Sequence, residues 1–186
     1  MARARSASRP RSTKARRRPA RRPPVELTNL ETKLGEVIGL AMAAQGATDK
    51  IAKLTGDREL KRQLKTMRTE AAQAEKGGSE VAGTIAGKKG AILKEARQVK
   101  QKATKMMSTY LDRSADGLDG FEFLTMAEAG EVGHWSIVGK LNEKARNAAV
   151  TELVDWALPI QRRHFDDVLA GSLELAACEN PDAIAD

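Results

Sequence analysis

Residues 126–135 read MAEAGEVGHW, and their spacing decides how the rest of the chain is to be read. At about 100° per residue on a helix, Phe121, Leu124, Trp135 and Val138 gather on one face. Glu128 and Glu131 fall inside that same face, and His134 lies at its edge. A carboxylate buried without a partner costs several kcal/mol. Either the helix assignment is wrong, or something in the bundle interior compensates these charges.

Part of that compensation follows in the sequence. Leu153, Ala157, Ile160, Val168 and Leu175 share one face of a last helix reaching about Ala177, with His164 near the centre of the face and Gln161 beside it. The turn between the two helices falls in Asn142–Asn147. In an antiparallel hairpin centred near Ala145, with a rise of about 1.5 Å per residue, Glu128 comes level with His164 and Glu131 with Gln161. Two carboxylates and an imidazole converging in a helix bundle are the ingredients of a carboxylate-rich metal site.

Upstream, the spacing predicts three more helical stretches. The first runs from about Val25 to Leu54, with Leu27, Leu30, Leu34, Val37, Ile38, Ala41 and Ile51 as its apolar stripe and Gly35, Gly39 and Ala43 as a second face of small residues. Within LGEVIGLAMAAQGAT, residues 34–48, Glu36 is the one charge. Asp57 caps a second helix reaching about Glu75, where Lys76, Gly77 and Gly78 are expected to end it. A third stretch uses Ile92, Ala96, Val99, Ala103, Met106 and Tyr110, with glycines 83, 87 and 90 blurring its start. Asp119 or Gly120 then opens the helix of the quoted stretch, and Pro159 is expected to kink the last one.

Charge divides the chain in two. Residues 1–24 hold ten bases and no acid: Arg3, Arg5, Arg9, Arg11, Lys14, Arg16, Arg17, Arg18, Arg21 and Arg22. The other 162 residues carry 22 Lys or Arg against 25 Asp or Glu. An arm of this composition is expected to be disordered and to bind DNA or another polyanion by counterion release. Its composition also matches an organelle transit peptide, although it lacks the leucines of an amphipathic face, and a merely solubilising tail is the third reading. No apolar core of a secretory signal follows the arginines, and the longest uncharged run, Val37–Thr48, is short of the roughly 20 residues of a membrane span. The lone Cys178 excludes an internal disulfide. The expectation is a soluble, cytoplasmic protein with no membrane partner.

Glu131-Val-Gly-His134 matches the Glu-x-x-His pattern of ferritin-like bundles, and Gln161-Arg-Arg-His164 is similar to a second copy with Gln for Glu. Residues 128–177 also resemble the later helices of small ferritin-like bacterial stress proteins. The resemblance implies an all-α fold: an antiparallel four-helix bundle with an additional helix over residues 25–178, and a C-terminal tail from 179 to 186. It implies iron or manganese, up to two ions, held by Glu36, Glu70, Glu128, Glu131, His134 and His164 with Gln161 beside them, in oxidative-stress or iron-handling chemistry. The chain departs from the pattern at Gln161 and at Glu70-Ala-Ala-Gln73, where the family would offer a Glu and a His. The alternative function is a non-enzymatic, nucleic-acid-associated helical scaffold with a vestigial metal site.

Plainer readings stand beside these. Glu128 and Glu131 pair with Arg162, Arg163 or Lys140 at a bundle edge, Glu36 is exposed, His134 is an edge residue, and His164 is a core histidine bonded to Glu128. The small-residue face of the first helix meets either a second subunit in a homo-oligomer or another helix of the same chain. The glycine-rich GTIAGKKGA, residues 83–91, lacks phosphate-loop spacing, and one cysteine with two histidines gives no zinc pattern.

Overall fold

The computed structural model describes residues 25–184, and the basic arm lies outside the described residues. The described residues are all-α, as the periodicity indicates, with five helices among them: α1 (Asn29–Ile51), α2 (Arg58–Thr84), α3 (Lys89–Tyr110), α4 (Gly117–Ala145) and α5 (Ala148–Ala176). No helix among them is long and apolar enough to cross a membrane.

Local chemistry sets most of the boundaries. Thr28 and Glu31 form a reciprocal capping box at the start of α1, and Asp116 with Asp119 forms another at the start of α4, three residues ahead of the expected opening. Asp57 and Asn147 cap α2 and α5 through the backbone N–H groups of Leu60 and Val150. The turn into α5 is pinned by buried Asn142, which donates to the Asn147 carbonyl and accepts from its N–H, both at 3.0 Å. Helix α5 runs through Pro159 without interruption.

Helices α1, α2, α5 and α4 close a ring in which each packs on the next, and α3 lies outside it, mainly against α1. Gly120 of α4 meets Ile51 of α1, while His134 of α4 meets Glu36, so these two helices are antiparallel. Likewise Gly171 of α5 approaches Leu60 of α2, and Leu153 approaches Gly77. With α3 as the crossover, α2 and α4 run the same way at opposite corners of the ring.

Two glycines mark why the helices sit where they do. A Cβ on Gly39 would lie 2.8 Å from the Cβ of Val99 and closer still to the Ala96 carbonyl, so the small face of α1 admits the α3 backbone. That face is covered within the chain. A Cβ on Gly78 would lie 2.5 Å from Cγ1 of Ile38. The glycines expected to end α2 near residue 77 instead lie inside a helix that continues to Thr84, because they serve close packing rather than termination.

The apolar core forms two clusters. One joins Leu34, Ile38, Trp135, Val138, Val150 and Ala157, and the other joins Ile51, Leu64, Met67, Phe121, Leu124 and Val168. Between them lies a polar layer containing Glu128, Glu131, Gln161 and His164.

Substituting Gly39→Val should cost about 1–3 kcal/mol by overpacking the α1–α3 contact. Gly46→Ala, at a helical position with open space around it, should gain about 0.5–1 kcal/mol. Denaturant unfolding of the two variants checks both values, and equal effects would contradict the packing described.

Candidate functional site

The polar layer is built from the residues that interrupt otherwise apolar faces. On α4, Glu128 and Glu131 are 1% and 6% exposed, one turn after Leu124 and one turn before Trp135. On α5, Gln161 and His164 are buried between Ala157 and Val168. The antiparallel hairpin brings the two pairs together with a shifted register: Glu128 meets both Gln161 and His164.

Gln161 donates from Nε2 to Oε2 of Glu128, and His164 Nδ1 stands 3.8 Å from the same oxygen, beyond hydrogen-bond range. The other ring nitrogen, Nε2, lies 2.7 Å from Oε2 of Glu70 on α2. Arg163 Nη2 donates to both Glu70 oxygens at 2.6 Å. Burial alone would raise the Glu70 carboxyl, but the His164 and Arg163 contacts outweigh it and hold the group below the ordinary carboxylate range. An ionised Glu70 accepts the Nε2 proton and leaves the Nδ1 lone pair facing Glu128. Burial pushes the His164 imidazole down against the pull of Glu70, so the ring is neutral at pH 7.

Glu131 makes no hydrogen bond or ion pair with any described residue. It lines, with Glu128, a cavity of about 170 Å³ between α1, α3 and α4 whose other walls include Ala43, Ala44, Ala47, Ala103, Met107 and Leu124. Burial pushes the Glu131 carboxyl up to about 8. Burial and the neighbouring Glu131 raise Glu128 well above its ordinary value, and the Gln161 amide offsets only part of this. Glu131 therefore keeps its proton at neutral pH, and Glu128 is pushed the same way.

The remaining candidates form a separate group. Glu36, partly buried, pairs with Lys33 at 2.7 Å and lies 3.0 Å from Nδ1 of His134, in a geometry that leaves this nitrogen without a hydrogen bond. His134 is six residues beyond Glu128, about 9 Å along the helix axis. At the level of the two buried carboxyls α1 offers Leu40, Ala43 and Ala44 instead of an acid. Glu70, expected as a ligand, is the group that orients His164. The sequence reading gave it no such role, and the signal lay in Arg163, which fixes the charge of Glu70 from the neighbouring helix.

The six candidate ligands thus divide into a Glu36–His134 pair and a Glu70–His164–Glu128 line, with Glu131 facing the cavity. Among the described residues no group of three or more His, Cys, Asp or Glu is gathered closely enough to hold a metal ion, because Glu70 and Glu128 lie at opposite nitrogens of one ring. No family model, curated protein or solved structure matches this chain.

The sign of the pH dependence follows from Glu131. Folded, it keeps its proton to about 8, whereas unfolded it releases it near 4.5, so unfolding between those values liberates a proton. Stability should fall as pH rises from 6.5 to 8, by up to about 1.4 kcal/mol per pH unit for each such group. His164 opposes this only below its unfolded value of 6.5. Thermal unfolding at stepped pH should show the fall in wild type and a flatter profile in Glu131→Gln; a pH-independent wild type would contradict the assignment.

Proposed function

We propose that the chain is a ferritin-like metal-binding protein of the iron-handling or oxidative-stress type, reduced to one divalent cation of iron or manganese. The observation that carries this reading is a pair of buried carboxyls, one turn apart, with no cationic side chain against them and a neutral imidazole alongside. A cation supplies the compensation that the protein's own side chains do not.

The helix order supports the ferritin-like assignment. Two helix hairpins joined by one long crossover, here carried by α3, are the arrangement found in that superfamily. The donor set does not fit two ions. A dinuclear carboxylate site draws a Glu from each of two helices and a Glu-x-x-His pair from each of the other two. Here α1 presents alanines at that level, α5 has Gln161 in the Glu position, and α2 has Gln73 in the His position.

One ion suits the chemistry of these donors, although as they stand they are not gathered closely enough to hold it and would have to draw together. Glu128 and Glu131 would be its carboxylates and His164 Nδ1 its imidazole donor, and Gln161 would have to give up its amide contact with Glu128 to offer an oxygen. Glu70, anchored by Arg163, plays the part usual for a carboxylate behind a metal-bound histidine: it fixes the tautomer and the ring orientation. Binding would displace the proton that Glu131 retains, so affinity should weaken as pH falls. When bound, iron or manganese would supply one-electron chemistry toward oxygen or peroxide.

Protein loaded anaerobically with Fe(II) or Mn(II), desalted and analysed by mass spectrometry should retain about one ion per chain. Glu131→Gln should lose it while remaining folded by circular dichroism. Absence of bound metal in the wild type, or equal retention by the variant, would overturn the reading.

A further inference from the structure

Residues 88–105 hold seven bases, Lys88, Lys89, Lys94, Arg97, Lys100, Lys102 and Lys105, against one acid, Glu95. On α3 the fully buried positions are Ile92 and Ala96, which face α1, and Glu95 is turned toward Gly35 of the same helix. At about 100° per residue, Lys94, Arg97, Lys102 and Lys105 occupy the opposite arc, interleaved with Gln98, Gln101 and Thr104. All seven of these side chains are exposed and no acid shares the arc.

The four bases have no ion-pair partner among the described residues, whereas Lys33, Arg62, Arg68, Lys140 and Arg163 each have a carboxylate within 3 Å. The near-neutral body conceals a division of charge. Residues 58–110 carry 13 bases and 5 acids, a formal +8, and residues 111–182 carry 6 bases and 14 acids, a formal −8. Helix α3, outside the ring, presents the positive side.

The chain also arrives at this surface from its basic end. Lys88, at the head of α3, donates from Nζ to the Glu26 carbonyl and lies 3.5 Å from Glu31. Residue 26 is therefore held beside the start of the basic arc, two residues after a segment with ten further bases.

We propose that the outer face of α3, through Lys94, Arg97, Lys102 and Lys105, binds the phosphates of double-stranded DNA without sequence preference. The four bases span about 17 Å of helix, matched to a duplex that displays a phosphate charge about every 1.7 Å. Between Lys94 and Lys105 no aromatic side chain is present to stack on unpaired bases. No large exposed apolar side chain is there to enter a lipid surface. Glutamine and threonine side chains between the bases add neutral donors to phosphate oxygens. This surface is separate from the buried carboxyls and does not depend on the cation.

The test uses the full chain and fluorescence anisotropy of a labelled, mixed-sequence duplex of about 30 base pairs across a salt series. Two variants with the same loss of charge are compared: K94Q/R97Q/K102Q/K105Q on α3, and K53Q/K140Q/K144Q/R162Q at exposed positions elsewhere. The α3 variant should lower the slope of log K against log salt by about 3–4, the value for four lost phosphate contacts, and the control should change it by less than about 1. Equal effects of the two variants, an unchanged α3 variant, no binding by the wild type, or preferential binding to single strands or anionic vesicles would each overturn the proposal.

Discussion

The structure depends on one constraint: α4 must bury a face that contains two carboxyl groups. Leu124, Trp135 and Val138 drive that face inward, and Glu128 and Glu131 are carried with them. Ionised and unpaired in an apolar interior, each would cost several kcal/mol, which is why burial pushes both carboxyls up, Glu131 to about 8. The groups around them are arranged to make this tolerable without neutralising it. Gln161 gives an amide hydrogen bond to Glu128, while His164 is kept neutral by burial and turned by Glu70. The one strongly cationic group nearby, Arg163, is spent on Glu70 at the surface.

Packing above and below the polar layer keeps it closed. The two apolar clusters clamp α4 and α5 at either end, and the glycines of α1 and α2 let the backbones approach closely enough to seal the sides. Small residues have a second consequence beside α3. Alanines 43, 44, 47 and 103 leave the cavity against which Glu131 lies, so the carboxyl with no partner is also the one with room next to it. A single-ion reading draws on both features: a missing positive charge, and space at the group that lacks it.

Much of this was legible in the amino-acid order. The positions of Asp57 and Asn147 announce helix starts because a short polar side chain ahead of an apolar run has one favourable backbone use. The pairing of residues 128–131 with 161–164 follows from helical rise and a short connection, to within one turn. What remained hidden has physical reasons. Gly77 and Gly78 look like a stop until Ile38 of another helix is seen to occupy the space of a side chain. Glu36 looks buried beside its apolar neighbours, yet Lys33 and His134 hold it in a pair of its own. Glu70 could not be placed from its own helix, since its charge and its direction are set by Arg163 and His164, more than ninety residues away. The division of charge between α2–α3 and α4–α5 was obscured by averaging over the body, in which opposite excesses cancel.

The most direct measurement is the titration of Glu131 itself, followed by carboxyl carbon NMR of selectively labelled protein with Glu131→Gln as the assignment control. The expected midpoint is about 8 without divalent cation, moving down when Mn(II) or a diamagnetic substitute is added at saturating concentration. A midpoint at the ordinary 4.5, unmoved by any cation, would mean that the carboxyl is solvated and that the polar layer is not the enclosed, charge-deficient site described.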